Sequence, residues 1–221
     1  GKSAGRVYVI GEQGLGDEVF FNAFLPADCV VECDERLIPA LNRAGVECVP
    51  SVFAEGRTHR WRREIPAGCD YWFPAGDLLR YCKPRVPYLT ADPVQVERFQ
   101  AYRGRVGICW RGRTGSYKLV DFQRVAERPV SLQYDLEWDE VAEEVAGLDV
   151  RNDIEGVLGL LANLDRVVTV SSTVAHLAIC SGVKTDVVLA PQMGQFNKFP
   201  WKYGVYGVKT WPSLKAYLGR S

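Results

Sequence analysis

The sequence predicts an α/β fold of two successive wound lobes with a ligand cleft between them. Three observations carry this expectation. Short apolar, β-branched runs alternate with helical patterns along the chain, the mark of parallel sheets with crossover helices. Both halves open alike, with an apolar run followed by a polar glycine-containing loop: "RVYVI" before "GEQGLGDE", and "RVGICW" before "RGRTGSYK". A length of 221 residues exceeds the usual single domain and suits two compact lobes of about 100 residues each.

In the first lobe, residues 6 to 10 read as a strand and 17 to 25 as a helix stopped by Pro26. "CVVEC" at 29 to 33 is a second strand, 34 to 45 a helix ending at Gly45, and 46 to 49 a third strand. Residues 50 to 68 are charged and aperiodic, as expected of an exposed connection or flap, with Arg57, Arg60, Arg62 and Arg63 able to attract a phosphorylated glycan. "CDYWF" at 69 to 73 is a fourth strand, followed by a turn into a short helix. The proline-rich run 83 to 104 suits a crossing between lobes, with lobe boundaries of 1 to 103 and 104 to 221.

In the second lobe, strands are predicted at 105 to 110, 128 to 134, 166 to 170 and 185 to 190, with a weak one at 149 to 152. Helices are predicted at 136 to 148, 154 to 164, 172 to 182 and near 212 to 218. The aromatic stretch after Pro191, including Phe196, Phe199, Trp201 and Tyr203, has no clear period and is expected to serve core packing or lobe contact. No repeat of 20 to 50 residues recurs.

Composition narrows the function. The 27 basic and 27 acidic residues cancel, so no global charge draws the chain to nucleic acid or an anionic membrane. Seven cysteines without CxxC or Cys/His metal spacing read as reduced, mostly buried thiols of a cytoplasmic protein. The absence of a ~20-residue apolar span or a signal-peptide core predicts a soluble protein with at most peripheral membrane association.

The chemistry centres on three loops. Gly11, Gly14 and Gly16 follow a strand and precede a helix, with Glu32 or Asp34 placed as for a ribose contact, which admits a dinucleotide reading. The spacing is GxxGxG, however, and Asp17 and Glu18 put two carboxylates at the positive end of the helix where a pyrophosphate would sit. An ionised acid there can instead accept a proton from a bound hydroxyl, or simply cap its helix. Arg111, Arg113 and Lys118 form a basic loop after the strand at 105 to 110, either an anion cradle or a solvated loop. Ser171, Ser172 and Thr173 place three hydroxyls and free N–H groups at a helix start, for phosphate or for ordinary capping. His176, set among Val, Ala, Leu and Ile, reads as a packed histidine. Asp135-Leu-Glu137 reads as the solvated face of an acidic helix rather than a metal motif.

"GEQGLGDEVFFNAFLP" followed by "VVECDERLIPAL", then "VPYLTADPVQVERF", "VGICWRGR", "VSLQ" and "LDRVVTVSSTVAHLAICSGV", resembles in order the heptosyltransferase-type glycosyltransferases, especially the branch often attached to tetratricopeptide repeats. The GLGD and STVAHLA blocks are the most specific parts of a resemblance that spans nearly the whole chain.

The resemblance implies a GT-B architecture of two Rossmann-like lobes, with the acceptor on the first and the nucleotide sugar on the second. It implies inversion by direct displacement, with Asp17 as catalytic base beside an acceptor-side loop of Glu12, Gly14 and Gly16. Donor phosphate falls to Lys118 with Arg111 in support, and to the turn of Ser171, Ser172 and Thr173. It implies no cofactor and no metal, and as partners a nucleotide-diphosphate sugar and a glycan or lipid-linked glycan acceptor, without nucleic acid. The family commonly has an acid in that turn, as in "VDT", where this chain has Ser171, and the first lobe is short. Two other readings stand beside this one: a non-catalytic glycan- or nucleotide-binding module with a degenerate GT-B fold, and an NAD-dependent oxidoreductase.

Overall fold

The computed structural model describes residues 5–11, 14–51, 65–113, 115–135, 143–190 and 200–219. The first lobe runs β1 (Val7–Ile10), α1 (Leu15–Asn22), β2 (Cys29–Cys33), α2 (Ile38–Arg43), β3 (Glu47–Pro50) and β4 (Tyr71–Pro74), with 3-10 turns at Glu35–Leu37 and Ala75–Arg80. Its sheet is ordered β3-β2-β1-β4 and is parallel throughout. β2 is buried along its whole length, as a central parallel strand covered on both faces must be.

α3 (Pro93–Arg98) follows the crossing segment. The second lobe contains β5 (Val106–Cys109), a small hairpin of β6 (Arg111–Gly112) and β7 (Gly115–Ser116), α4 (Leu119–Phe122), β8 (Val130–Ser131) and α5 (Ile154–Leu161). β9 (Arg166–Thr169), α6 (Thr173–Cys180), β10 (Thr185–Val188), α7 (Pro200–Val205), β11 (Thr210–Trp211) and α8 (Leu214–Leu218) complete it. This sheet is also parallel and is ordered β11-β10-β9-β5-β8.

The two sheets share one core. Val9, Phe20 and Leu41 from the first lobe belong to the same buried cluster as Leu158, Val167 and Leu177 from the second. A separate cluster around Trp110, Phe122, Val188 and Trp211 fills the far face of the second sheet. The crossing segment is pinned to α6, with the N–H groups of Tyr88 and Leu89 both donating to the Cys180 carbonyl at 2.9 Å. α3 lies on α5: a Cβ on Gly159 would stand 2.5 Å from Gln95 Cβ, and Asn163 Nδ2 donates to the Val96 carbonyl at 2.8 Å.

Several predicted elements change. The weak strand at 149 to 152 is a turn, because Asp149 Oδ1 accepts from the N–H of Arg151 at 2.9 Å and of Asn152 at 3.1 Å. Of the helix predicted at 136 to 148, residues 136–142 lie outside the described residues and 143–148 are not helical. Glu143 instead gives its carbonyl to Ser131 N beside β8, and Gly147 takes a φ of 74°. The strand predicted over 128 to 134 is only two residues long, since Gln133 turns its amide to the backbone of Arg111. The helix predicted over 34 to 45 begins as a 3-10 turn and becomes α-helical only at Ile38. α4 and α7 were not predicted, being four and six residues long and lying inside a basic loop and an aromatic run. The flap arginines, Phe196 and Phe199, and the side chain of Trp201 lie outside the described residues.

Candidate functional site

The strand orders locate the site. In each sheet the connections reverse direction beside the first strand, between β1 and β4 in one lobe and between β5 and β9 in the other. Open α/β sheets bind ligands at the carboxyl ends of the strands flanking such a reversal. The glycine loop after β1, the hairpin after β5 and the Ser171–Thr173 turn after β9 all leave the sheets at these ends.

The loops meet across the lobes. A Cβ on Gly16 would lie 3.0 Å from Thr173 Oγ1 and 3.2 Å from Thr173 Cα, so this glycine lets the first turn of α1 touch the first turn of α6. Gly14 caps α1 with extended backbone and no side-chain bond, and a Cβ there would meet nothing within 4 Å. Asp17 sits in that first turn without capping it, because its carboxylate pairs with Lys202 of α7. Glu12, the remaining acceptor-side residue expected from sequence, lies outside the described residues.

Lys202 reaches Asp17 from the second lobe. Its side chain is 5% exposed against 30% for Asp17, and its Nζ stands 5.0 Å and 5.5 Å from the ring centroids of Phe20 and Phe21. The neighbouring Tyr203 is buried and donates its hydroxyl to Ser171 Oγ at 2.9 Å. α7 thus ties the carboxylate of one lobe to the hydroxyl turn of the other.

Ser172 is the N-cap of α6, with its Oγ accepting from Ala175 N at 3.4 Å and lying 3.1 Å from Thr169 Oγ1. Ordinary capping therefore occurs here, and the helix start keeps its N–H groups turned towards the strand ends. His176, inside α6, is stacked on Tyr203 with ring centroids 5.3 Å apart and planes at 20°. Burial lowers it to about 3, with Lys202 adding to the shift, so the ring is neutral at ordinary pH and acts in packing, as the sequence suggests.

The basic loop divides. Gly112 lies so close to the turn that a Cβ would come 2.5 Å from the Ser171 carbonyl, while Arg111 turns away from it to Asp135. Asp135 is thus an ion-pair partner and not merely a solvated acid. Lys118 is exposed at the N-cap of α4 and makes no ion pair among the described residues. Asp17, Gly16, Ser171 and Thr173 are therefore brought together directly or through α7, Arg111 is turned to Asp135, and Lys118 stands exposed at the end of the same basic loop.

Beside Arg111, at the end of β8, lies a cavity of about 210 Å³ lined by Ser131, Gln133, Tyr134, Glu144, Leu148 and Val150 among others. This is below the ~300 Å³ typical of a whole small-molecule pocket. Gln133 joins the cavity to the loop, with Oε1 accepting from Arg111 N at 3.0 Å and Nε2 donating to the Arg111 carbonyl at 3.2 Å.

A second acidic group lies beneath the glycine loop. Glu18 and Glu32 are buried, Glu18 accepting from Asp34 N at 2.8 Å and Glu32 accepting from Tyr8 Oη at 2.8 Å and Ser51 Oγ at 3.2 Å. Burial raises Glu18 to about 7. A Cβ on Gly11 would meet the Glu32 carbonyl at 2.4 Å and Glu18 Oε1 at 3.2 Å, so the loop lies directly over these acids.

Sequence reasoning did not find Lys202, Gln133 or the bond from Tyr203. Lys202 and Tyr203 sit in an aromatic run with no spacing motif, and a short helix places them. Gln133 stood within "VSLQ", where only a loop meeting the strand end gives it a partner.

Three comparisons bear on the fold. No family model matches the chain. Protein FlbA of Caulobacter vibrioides is 24% identical over 96% of this chain, which spans only 43% of that relative. A glycosyl transferase family 9 structure from Veillonella parvula superposes with a TM-score of 0.63 at 11% identity, covering 98% of this chain and 91% of the other. The E. coli ADP-heptose LPS heptosyltransferase II superposes at 0.53 and 12% identity, covering 97% of this chain and 96% of the other. The E. coli heptosyltransferase TibC, solved with ADP-D-beta-D-heptose, superposes at 0.53 and 12% identity over 86% of this chain and 60% of its own. No helix among the described residues is long and apolar enough to cross a membrane. The chain has the two-lobed, Rossmann-like α/β fold of these glycosyltransferase structures, GT-B in type.

Proposed function

We propose that this chain is an inverting, metal-independent glycosyltransferase that moves a hexosyl or heptosyl group from a nucleotide-diphosphate sugar to a glycan or lipid-linked glycan hydroxyl. The observation that carries the reading is the meeting of Gly16 with Thr173, which sets Asp17, the next residue, in the helix turn that touches the start of α6 at the reversal points of both sheets. Heptosyltransferases among the solved structures with this fold, one of them holding ADP-heptose, support the choice of substrate class. The lobe of residues 1 to 103 takes the acceptor and that of 104 to 221 the donor.

In the reaction, the acceptor oxygen attacks the anomeric carbon while Asp17 takes its proton. The bond from that carbon to the diphosphate oxygen breaks, and its electron pair leaves with the nucleoside diphosphate. The N–H groups and hydroxyls of Ser172 and Thr173 receive the new charge, with Lys118 supplying a cation in place of a metal. The cavity beside Gln133 takes a ring of the nucleoside, with Gln133 tying it to the backbone of Arg111.

An oxidoreductase is the weaker reading, since a dinucleotide pyrophosphate over Gly11 would face Glu18, and Glu32 is already engaged by Tyr8 and Ser51. A non-catalytic binding module is favoured by one observation, the pairing of Asp17 Oδ1 with Lys202. The test is a calorimetric screen of ADP, GDP, UDP and CMP sugars without metal, followed by transfer assays with the donor that binds. Asp17→Asn abolishes transfer while donor binding is retained; an active variant removes the base, and donor binding without turnover in the unsubstituted chain favours the binding module.

A further inference from the structure

Lys202 stands between the two halves of this reaction. Its side chain is buried, its ammonium group stands over the rings of Phe20 and Phe21 and holds Asp17, and Tyr203 beside it is bonded to Ser171. The carboxylate it engages is the one that must meet an acceptor hydroxyl. The helix start placed to receive a diphosphate is close by, since Gly16, next to Asp17, touches Thr173, and Lys202 acts electrostatically on His176 one turn further along α6. Both anionic partners therefore lie within reach of one compact, strongly charged group.

We infer that Lys202 is a shared cation for which the Asp17 carboxylate and the diphosphate of a nucleotide compete, so that diphosphate binding frees Asp17 to act. The inference rests on the function proposed above. A carboxylate gripped by an ammonium group offers fewer lone pairs to a hydroxyl, and a diphosphate carries more charge than a carboxylate. In a site largely screened from water the difference between the two partners is felt strongly. Linkage then makes the competition reciprocal: whatever Asp17 gains from Lys202 is withheld from the diphosphate.

The test is calorimetric titration of ADP, GDP, UDP and CDP, without metal, into the 221-residue chain and its Asp17→Asn, Lys202→Met and doubly substituted variants. Asp17→Asn is expected to tighten nucleoside diphosphate binding about five- to tenfold, and Lys202→Met to weaken it about tenfold. In the Lys202→Met background, Asp17→Asn no longer tightens it. A merely structural ion pair predicts the opposite for Asp17→Asn, namely weaker binding through a loosened site, and that result or an unchanged affinity overturns the inference. Should Lys202→Met fail to fold by circular dichroism, the sign of the Asp17→Asn effect decides, with Lys202→Arg expected to retain affinity. A folded, unsubstituted chain that binds none of the four diphosphates overturns the donor reading and this inference together. Binding that ignores both residues overturns the inference alone.

Discussion

Tyr203 donates its hydroxyl to Ser171 Oγ at 2.9 Å while its ring stacks on His176. One side chain of α7 thus holds both the turn before α6 and the helix that follows it. Burial raises the tyrosine well above its ordinary value, so it keeps its proton and donates at neutral pH. Tyr203→Phe keeps the ring and removes the donor, leaving Ser171 without that partner in a largely dry setting. The expected cost is about 1 kcal/mol of stability, with nucleoside diphosphate affinity reduced because the turn is less fixed. Urea unfolding and calorimetry on the same samples check it, and unchanged affinity would separate Tyr203 from the site.

Gly16 and Gly14 differ by two positions and predict opposite outcomes. A methyl group on Gly16 would press on Thr173 Oγ1 and Cα at 3.0 and 3.2 Å, and α6 is too well packed to yield. Gly16→Ala should cost about 1 to 3 kcal/mol and depress transfer by parting the two helix starts. Gly14→Ala meets no atom within 4 Å and its backbone is already extended, so it should fold and bind as before. Equal effects from the two substitutions would show that the contact between α1 and α6 does not set the site.

The fold was legible because its strands are short, apolar and β-branched, and each is followed by a helix period or a turn. Cys29–Cys33 and the strand ending at Thr169 could be read from sequence alone, since a strand covered on both faces has no polar alternation to confuse it. Residues 149–152 misled because Asp149 closes a local turn with its side chain, a competition that alternation does not reveal. At the site, Asp17, Ser172 and Thr173 were visible because a helix start advertises its free N–H groups and acids. Lys202 was invisible, being 185 residues from Asp17 and carried by a six-residue helix that begins at a proline. Arg111 and Lys118 rest on a basic, glycine-containing loop after a strand and on the family resemblance, and neither says which way a side chain will turn: Arg111 goes to Asp135.

Two buried groups push stability in opposite directions with pH, and each can be separated from the other. Burial lifts Glu18 from 4.5 to about 7, with Glu32 and Asp34 adding to the rise, while Asp34 N and the charge of Arg36 oppose it. Between those values the folded chain binds the proton that the unfolded chain has lost, so stability falls as pH rises from about 4.5 to about 7. His176 runs the other way: burial lowers it from 6.5 to about 3, so its contribution is complete above 6.5 and is lost as pH falls towards 3. Glu18→Gln keeps an oxygen for Asp34 N without ionising, and should stabilise the chain by roughly 2 to 3 kcal/mol at pH 8 with little change at pH 4. His176→Phe keeps the stack on Tyr203 and should flatten the acid limb without altering the alkaline one. The two windows overlap between about 4.5 and 6.5 and cancel there in the parent, so urea midpoints of the two variants from pH 3 to pH 8, each showing one contribution alone, resolve them. A Glu18→Gln variant no more stable than the parent at pH 8 would mean that the buried carboxylate is compensated by partners beyond Asp34 and Arg36.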